Sequence, residues 1–210
     1  MITQSEIWDC QMHGLINRSL QCFLRDTYGQ PAWEAVVRAA GLSFNTFEAM
    51  LTYEDGMTDR VINAAALTLR RPRETLMEDM GHYLVSHETQ TSLRRLLRFS
   101  GVNFADFVNS LEELPERGRL ALPNLEVPEL ELTDHGAGHF TLRCTASLHG
   151  VGHILVGLLR AMADDYGALV LLDNLGPGDH APAGCEVVSI QIADQSFNEA
   201  RPFSLGMAVT

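Results

Sequence analysis

The chain has 210 residues, 46% of them hydrophobic, and a net charge of −12, enough apolar material for one sizeable core or two small lobes that share an interface. That excess of negative charge repels phosphate backbones and anionic bilayers, which argues against nucleic acid and membrane as partners. All 15 basic residues are arginines, so Schiff-base chemistry and a lysine-dependent phosphate loop are both excluded.

Residues 1–11 read as an N-terminal extension without the basic and apolar segments of a signal peptide. From Leu15 onward apolar residues recur at spacings of three and four: Leu20, Phe23 and Leu24, then Trp33, Val36, Val37 and Ala40, with Gly29 and Gly41 as stop signals. Further helices are expected over 61–69, ending near Pro72, then over 74–85, 93–99 and 104–114. In the last of these, Phe104, Phe107, Val108 and Leu111 share one face, and the next residue on that face is Pro115, which tends to end or kink the helix at Leu114.

From Leu125 the period changes to two. The stretches "LEVPELELTD" and "HFTLRCTASL" alternate as paired strands joined by the turn "HGAG". "GVGHILVGLLRAMADDYG" returns to helix, apolar almost all round and closed by Gly167, which implies burial against a sheet. "ALVLLDN" and "CEVVSIQIAD" supply two more strands across the loop "LGPGDHAPAG". The expected class is α+β: an N-terminal helical subdomain over 12–115, then a mostly antiparallel four-stranded sheet with a packed helix over 116–194, and a tail over 195–210. The longest apolar stretch, 154–159, falls far short of the roughly 20 residues that cross a bilayer, and a cytoplasmic location follows.

The four cysteines, Cys10, Cys22, Cys144 and Cys185, are far apart and lack CxxC spacing, so reduced thiols are expected and a structural metal site is not. His149 and His153 stand four apart at the start of the buried helix, but no third ligand lies nearby in the sequence. Glu112, Glu113 and Glu116 read as the solvated side of a helix end. Arg94, Arg95 and Arg98 form one basic patch, read as pairing with nearby carboxylates. No GxSxG elbow or cluster of titratable groups points to an enzyme.

The segments "MHGLINRSLQCFLRDTYGQPAWEAVV", "LTYEDGMTDRVINAAALTL", "LLRFSGVNFADFVNSLEEL" and "GHILVGLLRAMADDYG", with Pro123 and Pro128, resemble the heme nitric oxide/oxygen binding (H-NOX) family, which includes the regulatory domain of soluble guanylate cyclase. The resemblance covers residues 12 to about 192. It implies a fold that holds heme between two subdomains, with a helix histidine on the iron and a Tyr-x-Ser-x-Arg motif on the propionates. Aligned without a gap from Leu97 through Pro128, Pro115 occupies the histidine position, and in the segment that matches the motif Cys144, Ala146 and Leu148 stand at its three positions.

Proline offers no side-chain donor to iron, and Cys, Ala and Leu cannot reproduce two hydroxyls and a guanidinium. Conventional heme binding is therefore not expected, and neither is a metal site. The positions that match the family's pocket lining are Ile16, Leu84, Val85, Pro128, Ile154 and Leu158, apolar residues suited to a lipophilic small ligand. The competing reading is a filled core, with Leu148, Phe104 and Phe107 taking up the space. Two residues, His87 and Cys144, are the substitutes for an axial ligand if heme is retained. Stand-alone family members imply a signalling partner in trans, such as a histidine kinase or a diguanylate cyclase, and a sensor or regulatory role rather than an enzyme.

Overall fold

The computed structural model describes residues 11–87, 94, 97–98, 101–121, 127–178, 182 and 184–193. The expected N-terminal extension up to residue 10, most of the helix over 93–99, Arg95, Pro123, the start of the strand at Leu125 and the tail over 195–210 lie outside the described residues.

A short strand β1 (Gln11–His13) leads into α1 (Gly14–Tyr28) and α2 (Gln30–Ala39), and a second short strand β2 (Thr52–Glu54) pairs antiparallel with β1 and leads into α3 (Asp55–Leu69). Pro31 enters α2 in its first turn, where a missing N–H goes unmissed. Helix α4 (Arg73–Ser86) follows Pro72, and Leu20, Phe23, Leu24, Trp33, Val36, Val61 and Met77 close the helical core. Inside that core, buried amides satisfy backbone and hydroxyl partners: Gln21 accepts the Phe47 amide at 2.8 Å, and Asn17 accepts the Thr58 hydroxyl at 2.8 Å.

The expected single helix over 104–114 is instead two helices separated by a 3₁₀ turn. Helix α5 (Phe104–Asn109) is capped by Asn103, which accepts the Asp106 amide at 2.9 Å. A 3₁₀ turn (Leu111–Glu113) follows, and α6 (Leu114–Ala121) begins there. Pro115 therefore sits in the first turn of a new helix rather than at the end of an old one, because the chain has already left α5 at Ser110.

Four strands form one antiparallel sheet in the order β3 (Glu129–Gly136), β4 (His139–Thr145), β6 (Cys185–Ile192), β5 (Val170–Gly176). The β3–β4 turn runs through Gly136, Ala137 and Gly138, all with positive φ, which holds the hairpin to a two-residue tip. Helix α7 (Val151–Tyr166) crosses the inner face and ends at Gly167, φ 67°, with the Ala168 amide returning to the Ala163 carbonyl at 2.8 Å. Phe140, Leu142, Cys144, Val188 and Ile190 point from the sheet toward α7, and Phe104, Phe107 and Leu111 complete this second core. The α+β architecture is as the two periods in the sequence imply. Among the described residues no helix is long and apolar enough to cross a membrane.

Candidate ligand site

The end of β4 and the chain between it and α7 carry three of the four positions at which the family's heme contacts are expected. Cys144 lies opposite Leu130 and Glu186 in the sheet and is fully buried, its thiol 3.5 Å from the Glu186 carbonyl. Burial and the nearby Glu186 carboxylate push the Cys144 thiol up to about 12, so a thiolate ligand is strongly disfavoured there at neutral pH. Ala146 is half-buried against the sheet core, with its amide on the Gly184 carbonyl at 3.0 Å. Leu148 leaves the sheet altogether. It is 6% exposed and belongs to the helical core.

Polar contacts fasten the residues after Leu148. Arg73 donates to the His149 carbonyl at 2.9 Å while its other contacts reach Asn63 at 2.7 Å and Asp59 at 2.5 Å on α3. The Glu186 carboxylate accepts the Gly150 amide at 2.5 Å, the Gly152 amide at 3.3 Å and the Asn174 side chain at 2.8 Å. A carboxylate at that end of α7 meets the free N–H groups and the positive end of the helix dipole.

Helices α4 and α7 touch through their backbones. A Cβ on Gly81 would lie 2.0 Å from the Ile154 carbonyl oxygen, and one on Gly157 would lie 1.9 Å from the Glu78 carbonyl oxygen. Only glycine at both positions allows this approach. Glu78 then bridges to α7 twice, with His153 Nδ1 at 3.2 Å from one oxygen and Arg160 donating to the other at 3.2 Å. His153 is thus paired with a carboxylate, and His149, largely exposed, lies 3.9 Å from Asp59. Among the described residues no group of three metal-ligating side chains converges.

The expected lining residues divide between the two cores. Ile16, Leu84 and Ile154 pack partly buried on the helical core, whereas Val85 and Leu158 are buried in the sheet core. Pro128 is half-buried just before β3, and Pro115 is buried at the start of α6. His87 ends α4 with its ring against Tyr83, 4.5 Å between centroids. A void of about 10 Å³ lies within the helical core, lined by Leu20, Phe23, Leu24, Ile62, Ala65, Leu76, Met77 and Met80, room for about one water-sized sphere.

Sequence reasoning missed the seam made by Gly81 and Gly157. The available signal was an isolated glycine inside each of two apolar helical runs, a choice that costs about 1 kcal/mol relative to Ala unless packing demands it. It also missed Arg73 and Glu78, surface-type residues whose partners come from distant chain segments. Of the arginine patch, Arg94 is bonded to Asp165 and Arg98 is stacked over Tyr166 at 4.3 Å. Glu112, read as solvated, accepts the Leu132 amide of β3 at 2.8 Å.

A helical unit joined to a four-stranded antiparallel sheet through one crossing helix defines the H-NOX class of fold. Solved relatives share it: an unliganded Fe(II) H-NOX protein from K. algicida has a TM-score of 0.74 at 14% identity, covering 87% of this chain and 97% of that one. An H-NOX protein from S. oneidensis in the Fe(II)NO state has a TM-score of 0.71 at 14% identity, covering 87% of this chain and 100% of that one. The chain belongs to the Haem-NO-binding (HNOB) family, whose profile matches residues 13–172. Among curated relatives, soluble guanylate cyclase gcy-31 of Caenorhabditis elegans is 25% identical over 154 residues, 73% of this chain and 22% of that protein. Soluble guanylate cyclase 89Da of Drosophila melanogaster is 21% identical over 155 residues, 74% of this chain and 23% of that protein. The chain thus spans under a quarter of the length of these relatives.

The side chains at the positions where the resemblance expects heme contacts do not supply the donors that group needs. Pro115 supplies no imidazole, Ala146 no hydroxyl and Leu148 no guanidinium, and the Cys144 thiol is spent on a backbone carbonyl in a closed core.

Proposed function

We propose that this chain is a regulatory domain of H-NOX fold that does not hold heme in the family manner and acts through contact with a signalling protein or through another, apolar ligand. The observation that carries the proposal is the burial of Leu148 in the helical core, at the position where the family resemblance expects the propionate-binding arginine. A buried leucine adds stability that a buried, unpaired guanidinium would remove. The packing of Gly81 against Ile154 and of Gly157 against Glu78 supports the same view.

Membership of a family represented by guanylate cyclases supports a regulatory role coupled to a partner. In this proposal the domain itself performs no chemistry, and its partner is a histidine kinase or a diguanylate cyclase supplied in trans. A cytoplasmic setting accords with that role. Candidate lining for an apolar ligand is Ile16, Leu84, Val85, Pro128, Ile154 and Leu158.

A second reading retains heme, and family membership is what favours it. Its axial ligand would be His87 or Cys144, and the raised Cys144 pKa weighs against the latter.

The test is a heme titration of the purified chain beside the variant Pro115→His, Cys144→Tyr, Ala146→Ser, Leu148→Arg. The proposal expects no stoichiometric Soret band from the natural chain and greater uptake by the fourfold variant. A stoichiometric band that disappears in His87→Ala or Cys144→Ala would establish the second reading instead. Mass spectrometry of material released from the natural chain identifies any apolar ligand.

A further inference from the structure

Strand β5 is an edge of the four-stranded sheet among the described residues, since only β6 pairs with it. Natural edges are usually guarded by charged side chains, above all lysine, by proline, by bulges, by a short length or by a covering element, because open N–H and C=O groups accept foreign strands. Strand β5 has seven residues, "VLLDNLG", with neither a basic residue nor a proline; its guards are a single charge, Asp173, and a bulge between Asn174 and Gly176 at its far end, which leave Val170 to Asn174 in regular register. Its outward face is apolar: Leu171 is 65% exposed, Leu175 64% and Leu169, just before the strand, 71%. Asp173 stands exposed between Leu171 and Leu175 on that face. The Ala193 amide donates to the Leu169 carbonyl, and the antiparallel alternation that follows turns the main-chain groups of Val170, Leu172 and Asn174 to the open edge.

We infer that this edge receives an extended segment of a partner protein that carries an arginine or lysine flanked at alternate positions by apolar residues. The added strand completes the ladder at Val170, Leu172 and Asn174. Its apolar residues cover Leu171 and Leu175, and its cation faces Asp173. Cross-strand pairs of opposite charge are favourable and like pairs are not, and the net charge of −12 draws a basic partner further.

A second copy of this chain fits less well. The longest self-pairing, centred on Leu172, sets each Asp173 opposite the other copy's Leu171, so neither carboxylate meets a cation. The two copies would each bring a charge of −12. The inference concerns a different face from the family's heme positions and stands whether or not heme binds.

The test uses the full chain and fluorescence anisotropy with two labelled seven-residue strand peptides, Thr-Val-Thr-Arg-Thr-Val-Thr and the same peptide with Glu at the centre. The Arg peptide should bind about fivefold to tenfold more tightly, given cross-strand charge terms of up to about 1 kcal/mol in each direction. Asp173→Arg should reverse the preference, and methylation of the peptide amides that face the β5 edge should abolish binding. The exposed position of Asp173 leaves the fold intact, which circular dichroism verifies. Equal binding of the two peptides, an unchanged preference in Asp173→Arg, or a dimer in sedimentation that Leu171→Arg dissolves would each overturn the inference.

Discussion

The helical core and the sheet core of this molecule each hold an aromatic cluster of their own, and each takes residues from the other's stretch of chain. In the helical core Phe44, Phe47 and Tyr53 are in mutual ring contact and Trp33 joins them through Phe47, at centroid distances of 5.0 to 6.3 Å. The sheet core has a second ring cluster, Phe104, Phe107 and Tyr166, at centroid distances of 5.8 to 6.3 Å. Leu148 comes from the strand-rich half but is buried in the helical core, and Val85 comes from a helix of the first half but is buried in the sheet core. Neighbours Leu84 and Val85 on α4 face opposite cores, so α4 is shared. The two units meet along α4 and α7 through side chains and through backbone contact at Gly81 and Gly157.

The strongest way to break this exchange is Leu148→Ala. Removing a buried leucine should destabilise the protein by about 2 to 5 kcal/mol, read from the midpoint of urea unfolding. Loss of under about 1 kcal/mol would mean that Leu148 is not a core residue of the helical unit. Next in size are the seam glycines. Gly157→Ala and Gly81→Ala should each cost about 1 to 3 kcal/mol by overpacking. The double variant should lose less than the sum, because a seam opened by one methyl has room for the other. Full additivity would contradict a shared contact.

The sheet core can be tested by pH. The folded Cys144 thiol lies near 12 against an ordinary value of 9.0, so the unfolded chain gives up this proton first. Stability should therefore fall as pH rises above about 9, with a slope of up to about 1.4 kcal/mol per pH unit. Cys144→Ala should remove that slope while lowering stability at neutral pH. The smallest effect is at the β3–β4 tip, remote from the junction. Ala137 holds φ 54° without being glycine, and Ala137→Asn should stabilise by under about 1 kcal/mol, because Asn adopts this conformation more readily. A change of that size at a distant turn calibrates the larger changes at the junction.

Most of the architecture is legible in local patterns. The shift from a period of three and four to a period of two near Leu125, and the Gly167 stop after α7, are local facts with local causes. Pro115 shows where such patterns run out. Proline both ends and begins helices, and which one applies depends on whether the preceding helix has already stopped, here at Ser110. The destination of Leu148 is a tertiary fact, because an isolated leucine after a strand carries no mark of the core that will take it. Apolar character was readable at Ile16, Leu84, Val85, Ile154 and Leu158, but their division between two cores depends on the crossing of α4 and α7. That crossing rests on Gly81 and Gly157, whose only sequence signature is the lack of a side chain.

The central claim is that positions devoted to iron and propionates in the family resemblance are here given over to packing. Its most direct measurement is the iron content and absorption spectrum of the full chain purified from heme-supplied cells. The account predicts no Soret band and no stoichiometric iron. One heme iron per chain, with a Soret band that survives gel filtration, would contradict it.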